Sequence, residues 1–371
     1  MTSPPASVLP DWGPLVDHHC HGLVLTDLDR AGFEALMNEA VGPSPLGTTL
    51  FDSMLGLAIR RHCSPLLDLE PLAPAEAYLA RRLELGAAEV NRRLMSAAGI
   101  DTLLVDTGLG EGVICGPDEL AGIAGGTARE IVRLEQVAEQ VLRAGTSDFA
   151  GDVVARLRSA QGAGAVGAKS IAAYRVGLGL PAAKPSAVEL DRALAGASPL
   201  RLVSMPVSAW LAHTALELGL PLQFHVGYGD SDLDLLDCDP LRLTAFLRAT
   251  QERGVPVLLL HSYPYHRNAG YLAQVFDHVF LDLGLSTHNT GALSRTLYAE
   301  TLELAPFGKL LFSTDAYGLA ELYLIGALLF RAGLGGVLDD LVAAGDMTAA
   351  DGAYVGRLVA GDNARRAYAL D

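Results

Sequence analysis

The chain is expected to fold as an α/β protein, a (β/α)8 barrel of TIM type with a helical insertion after its first strand. Three observations predict this. Short apolar runs alternate with longer stretches of helical period, several of those runs end in a histidine or an aspartate, and the first connection is far longer than the others. With 371 residues, half of them hydrophobic, the chain can bury one large core. Residues 1–371 are therefore read as a single elaborated barrel.

Eight strands are placed at Leu15–His21, Thr102–Asp106, Ile131–Glu135, Ala165–Ser170, Leu222–His225, Val255–His261, Val279–Leu283 and Lys309–Thr314. Helical periodicity lies between most of them, as at Val137–Ala144, Ser208–Leu218, Leu241–Arg253 and Ala292–Leu304. That alternation favours a closed barrel over an open sheet. Residues 22–99 carry helix-like runs at Ala31–Ala40, Leu50–Arg61 and Ala75–Met95, and are read as an insertion lying over the barrel mouth. Gln161–Gly167 and Leu180–Pro185 read as loops, and there is no solenoid repeat.

The net charge of -16, from 43 acidic against 27 basic residues, argues against nucleic acid or an anionic membrane as the main partner. A small-molecule substrate is the expectation, with a homo-oligomer left open. Met1–Pro10 lacks the basic start and apolar core of a signal peptide, and no apolar run is seen to approach the ~18 residues of a spanning helix. Cys20, Cys63, Cys115 and Cys238 show no CxxC spacing and read as reduced thiols of a cytoplasmic protein.

The first strand runs Leu15-Val16-Asp17-His18-His19-Cys20-His21-Gly22, and side chains two apart on a strand share a face. His19 and His21 can thus hold one metal ion together. Leu222-Gln223-Phe224-His225, Val257-Leu258-Leu259-Leu260-His261 and Leu310-Leu311-Phe312-Ser313-Thr314-Asp315 end in the same way. Barrel enzymes carry their chemistry at the C-terminal strand ends, where all these groups fall. Imidazole and carboxylate donors suit a divalent ion such as Zn2+, which acidifies water, and Asp315 is the carboxylate positioned to take and return a proton.

The other histidines read differently. His278 opens its strand and belongs to the far end of the barrel, His213 and His62 lie in helical stretches, and His18 points away from its neighbours. His266 and His288 follow strands six and seven, within reach of the mouth.

Asp17-His18-His19-Cys20-His21, Gly167-Ala168-Lys169-Ser170, Gln223-Phe224-His225-Val226-Gly227, Leu260-His261-Ser262-Tyr263-Pro264 and Ser313-Thr314-Asp315-Ala316 resemble the metal-dependent amidohydrolase superfamily along nearly the whole chain. Lys169-Ser170-Ile171-Ala172-Ala173-Tyr174-Arg175, Gly229-Asp230-Ser231-Asp232 and Asp315-Ala316-Tyr317-Gly318-Leu319-Ala320-Glu321 narrow the resemblance to its amidohydrolase-2 branch. Within that branch they are closest to the amidohydrolase-like half of glutamine-synthetase-fused developmental proteins. No glutamine synthetase sequence occurs in these 371 residues. The resemblance implies a barrel with a metal at its mouth and hydrolysis of an amide, with a γ-glutamyl amide as one candidate.

In many superfamily members a strand-four lysine is carbamylated and bridges two ions, and Lys169 falls on that strand. It reads equally as an unmodified, substrate-binding cation. Glu135, ending strand three, offers a second bridging carboxylate, as in membrane-dipeptidase-like barrels, or an ion pair with Lys169. One ion is expected and two are allowed.

For the substrate, Arg175 beside Tyr174 could hold a carboxylate in a bidentate fork. Arg60 and Arg61 in the insertion are a weaker candidate for an anion. Asp230, Asp232 and Asp234 suit an ammonium group, Tyr263 and Glu321 follow strands six and eight closely enough to line the pocket, and Gly227 and Gly229 permit close backbone approach. The reading is a metal-dependent hydrolase of a C–N bond in a small anionic amide, with His261 and Asp315 as its catalytic groups. Its rivals are a nonhydrolytic decarboxylase and a barrel that binds without catalysis.

Overall fold

The computed structural model describes residues 10–40, 42, 46–110 and 112–371. The reading of Met1–Pro10 therefore lies, apart from Pro10, outside the described residues.

Among the described residues, seven strands form one parallel sheet in sequential order: β1 (Leu15–Cys20), β2 (Ile100–Asp106), β3 (Thr127–Arg133), β4 (Gly167–Ser170), β5 (Leu222–His225), β6 (Val257–Leu260) and β7 (Val279–Leu281). The eighth expected strand is a segment with strand-like contacts to both neighbours. Leu311 N donates to Leu281 O at 2.9 Å on one side, and Phe312 O accepts from His18 N at 3.2 Å on the other. A regular ladder is lost there because the Asp17 carboxylate takes Thr314 N at 2.9 Å and Thr314 Oγ1 at 2.5 Å. The architecture is an α/β TIM-like fold, closed by this segment.

Two strand ends differ from expectation for a visible reason. β6 stops at Leu260 because His261 and Ser262 turn into the left-handed region, at φ 67° and 51°. β3 stops at Arg133, so Glu135 sits in the first turn of the helix Leu134–Ala144 and not at a strand end.

Between β1 and β2 lie the helices Arg30–Glu34, Met54–His62, Ala75–Leu85 and Ala87–Ala98. The first is shorter than the run Ala31–Ala40, and the last two replace the single run Ala75–Met95. Gly86, at φ 77°, breaks that run where a side chain would be strained.

The barrel interior is filled from its staves. Val16, Leu104, Ile131, Leu258, Phe280 and Leu311 form one buried cluster with Ala364, Ala367 and Tyr368 of the helix Asn363–Tyr368. The C-terminal helix thus packs on the side chains inside the barrel, away from the strand ends that carry the histidines.

The helix Ala320–Ala344 was not foreseen. An 18-residue window of it reaches a mean hydropathy of 1.5, long and apolar enough by composition to cross a membrane, which corrects the reading that no such run exists. Most of that window (72%) is buried within the protein, against the helices Ala87–Ala98 and Ser294–Thr301 among others. A helix apolar on nearly all sides gives no periodic signal.

Candidate metal centre

His19 and His21 leave β1 two residues apart and meet Asp315 from the closing segment. His19 Nε2 lies 3.0 Å from Asp315 Oδ1, His21 Nε2 lies 3.5 Å from the same oxygen, and His261 Nε2 lies 3.4 Å from Oδ2. One donor atom from each of His19, His261 and Asp315 falls within 4.8 Å of the others. Backbone pairing sets this register, since Asp315 N donates to His19 O at 2.9 Å. His21 Nδ1 is fixed on Asp106 O at 3.0 Å, which leaves Nε2 to the cluster.

His225 stands beside the cluster, its ring centroid 4.7 Å from that of His261, with Nε2 at 3.1 Å from Tyr228 O. The glycine at 229 makes this possible: a Cβ there would collide with the Tyr174 hydroxyl and crowd His225.

Burial lowers the imidazole pKa values, that of His19 to about 3 and those of His225 and His261 in the same direction. Burial alone would raise Asp315, yet His261 and the contacts from His19 and His21 hold its carboxyl well below the usual range. Neutral imidazoles with an ionised carboxylate are the protonation states that divalent metal ions require. Both ring nitrogens of His261 and Nδ1 of His19 are buried without a hydrogen-bond partner among the described residues. An imidazole buried with both nitrogens unpartnered and Nε2 facing a carboxylate, as in His261, fits a metal ion better than it fits a closed polar network.

Around this set the cations are arranged closely. Lys169 Nζ lies 3.1 Å from His19 Nε2, and burial lowers its pKa to about 8. Asp106, at the end of β2, takes Arg133 in a fork with Nη2 to Oδ2 at 2.6 Å. Glu135 does not join the donors. Its Oε1 accepts from Ser170 Oγ at 2.7 Å, burial pushes its pKa up, and no ion pair joins it to Lys169 among the described residues.

A cavity of about 660 Å3 opens over the cluster, with His21, Lys169, His225, His261 and Asp315 on its floor. Tyr174, Arg175 and Asp230 are on its walls, as the sequence suggested. The Arg175 guanidinium has one long contact, Nη2 to Glu139 Oε1 at 3.5 Å, and its Nε is buried without a partner. Glu39, Arg133, Arg201, His288 and Tyr317 also line the cavity. Of these only His288 was flagged as within reach.

Two substrate assignments do not survive. Glu321 is fully buried and accepts from Tyr78 Oη at 2.8 Å and Arg82 Nε at 2.9 Å, so it ties two helices together inside the protein. Tyr263 is 36% exposed, stacked on His266, and absent from the cavity wall. Arg60 is used up on Ala73 O and Leu72 O. His266 pairs with Glu300 at 2.7 Å, and His18 turns to Asp282 at 2.9 Å.

The barrel and its strand-end imidazoles define a metal-dependent hydrolase, and comparison with known proteins agrees. Residues 137–370 match the Amidohydrolase family model, and the chain belongs to that family. Protein fluG of Emericella nidulans is 34% identical over 224 residues, which cover 56% of this chain. The match spans only about a quarter of that relative's length, 26%. A structure from Lactobacillus casei ATCC 334, described as a metal-dependent hydrolase, superposes with a TM-score of 0.85 at 30% identity, over 97% of this chain and 96% of that one. Glucuronate isomerase from Caulobacter crescentus shares the fold, with a TM-score of 0.63 at 16% identity, over 97% and 92% of the two chains. The family implies a divalent metal, and the donor set fits one.

Proposed function

We propose that this protein hydrolyses the C–N bond of a small anionic amide, a γ-glutamyl amide being the leading candidate. The observation that carries the reading is the convergence of three imidazole Nε2 atoms on the ionised Asp315 beneath a cavity, with both ring nitrogens of His261 buried and unpartnered among the described residues. His19, His21, His261 and Asp315 would hold one ion, which we take to be Zn2+, with His225 adjacent. When bound, the ion supplies Lewis acidity toward water and the substrate carbonyl.

The protein's own groups do the rest. Asp315, at the end of the closing segment, accepts the proton of the attacking water and returns it to the departing nitrogen. His261, whose Nε2 faces Asp315 Oδ2, would contribute to polarising the carbonyl through the ion it helps to hold. Arg175, with donors left unused, receives the anionic end of the substrate in a fork, and Tyr174 holds one wall of the cavity beside His225. Asp230 is available to an ammonium group.

The placements favour one ion over two and an uncarbamylated Lys169. Asp106 is held by Arg133 and Glu135 by Ser170 through Oε1, so a second ion would have to displace Arg133 or draw on the unpartnered Glu135 Oε2. We further propose a cytoplasmic enzyme acting on a soluble small molecule, with no nucleic-acid or membrane partner; four buried, unpaired cysteines and the charge of -16 support this. Self-association into a homo-oligomer is compatible with it, and light scattering measures it directly.

The test is a panel of γ-glutamyl and other N-acyl amides incubated with the metal-loaded protein, with released amine and released CO2 both recorded. Amine release with saturation supports the reading. CO2 release from carboxylic acids without amine release would replace it with decarboxylation.

A further inference from the structure

Among the described residues the ring of His261 has no hydrogen bond to orient it, since Nδ1 and Nε2 are both buried and unpartnered. Metal-ligating histidines are ordinarily oriented through the nitrogen that does not face the ion. Here the orientation has to come from the backbone, and the backbone is held unusually firmly. His261 and Ser262 occupy the left-handed region, which non-glycine residues adopt only where their surroundings impose it.

Asp282, immediately after β7 and fully buried, imposes it. Its Oδ1 accepts from His261 N at 2.8 Å and from Gly284 N at 2.8 Å. Its Oδ2 takes His18 Nε2 at 2.9 Å, and His18 Nδ1 lies 3.0 Å from Tyr368 Oη. From the other side, Ser286 Oγ donates to His261 O at 3.2 Å. The peptide groups flanking the histidine are thus pinned by β7 and the helix Gly284–Thr290 that follows it.

We infer that Asp282 is a positioning residue for His261: its carboxylate fixes the left-handed backbone that aims the imidazole at Asp315, and it does so as a hydrogen-bond acceptor. The inference rests on the reading of His261 as a metal donor. An asparagine at 282 keeps an oxygen for His261 N and Gly284 N, and its amide can donate to His18 in the other tautomer. An alanine keeps neither.

The experiment compares wild type, Asp282→Asn and Asp282→Ala for Co2+ affinity by chelator competition and for the Co2+ absorption spectrum, with circular dichroism as the check on folding. Asp282→Ala should bind the ion about ten- to a hundredfold more weakly with an altered spectrum, and Asp282→Asn should retain both affinity and spectrum. A folded Asp282→Ala protein with wild-type affinity overturns the inference. So does an Asp282→Asn protein that folds and loses affinity, because charge and not acceptor geometry would then be at work. Should Asp282→Ala not fold, the Asn variant decides in the same two ways. Wild-type protein that takes up no Co2+ or Zn2+ contradicts the metal reading itself, and the clamp falls with it.

Discussion

Asp315 is the residue on which the proposed chemistry depends most, because its carboxylate lies within 3.5 Å of three imidazoles while its backbone sits at φ 52°. Replacing it by asparagine preserves size and hydrogen bonding to His19 but removes the proton acceptor. Asp315→Asn should stay folded and retain its metal while kcat falls by about two to four orders of magnitude, measured by steady-state amine release beside elemental analysis. Near-normal turnover would remove Asp315 from the mechanism. His19, His21, His261 and Asp315 were legible in the sequence because each ends an apolar run, and strand ends converge in a barrel. Arg133 was harder to see: it also ends a strand, but a cation at that place has no metal-ligand signature, and its role depends on Asp106. Glu39 was hidden because it fell in the run Ala31–Ala40 read as helix, whereas the helix ends at Glu34 and the chain beyond it lines the cavity.

Among the elements, the clearest energetic statement concerns the bridge between the helices Ala75–Leu85 and Ala320–Ala344. Arg82 and Glu321 are almost fully buried, and the pair is completed by Tyr78. A buried charge left without its partner costs about 3–5 kcal/mol. Arg82→Ala should therefore lower the free energy of unfolding by about that amount in urea melts, whereas a loss under about 1 kcal/mol would show that the pair is not isolated from water. Glu321 had been read as a cavity residue because it follows the last strand closely. The structure places it in the first turn of a helix whose surroundings are protein on nearly every side, and there Oε1 is held by Tyr78 and Arg82 inside the protein. The same helix was missed as an element because uniform apolarity has no period. Glu135 repeats the lesson on a smaller scale. A strand boundary two residues earlier moves the carboxylate from the barrel's end onto Ser170.

For the whole molecule, the division of labour between the two ends of the barrel follows from its packing. One end is filled by an apolar cluster that includes the helix Asn363–Tyr368, and the other gathers the polar groups around a cavity. The two are joined through His18, which is within hydrogen-bonding distance of both Tyr368 and Asp282. The alternation of strand and helix revealed the TIM-like architecture from sequence, while the eighth expected strand is only a segment bridged to its neighbours, with side-chain bonds from Asp17 in place of a regular ladder.

The central claim, a single-ion hydrolytic site, is tested most directly by elemental analysis of metal bound per chain in freshly purified wild type and Lys169→Ala. The account predicts about one equivalent in both, because Arg133 holds Asp106 and Ser170 holds one oxygen of Glu135. Two equivalents falling to one in the variant would establish a lysine-bridged pair of ions, and no metal in either would contradict the site as described.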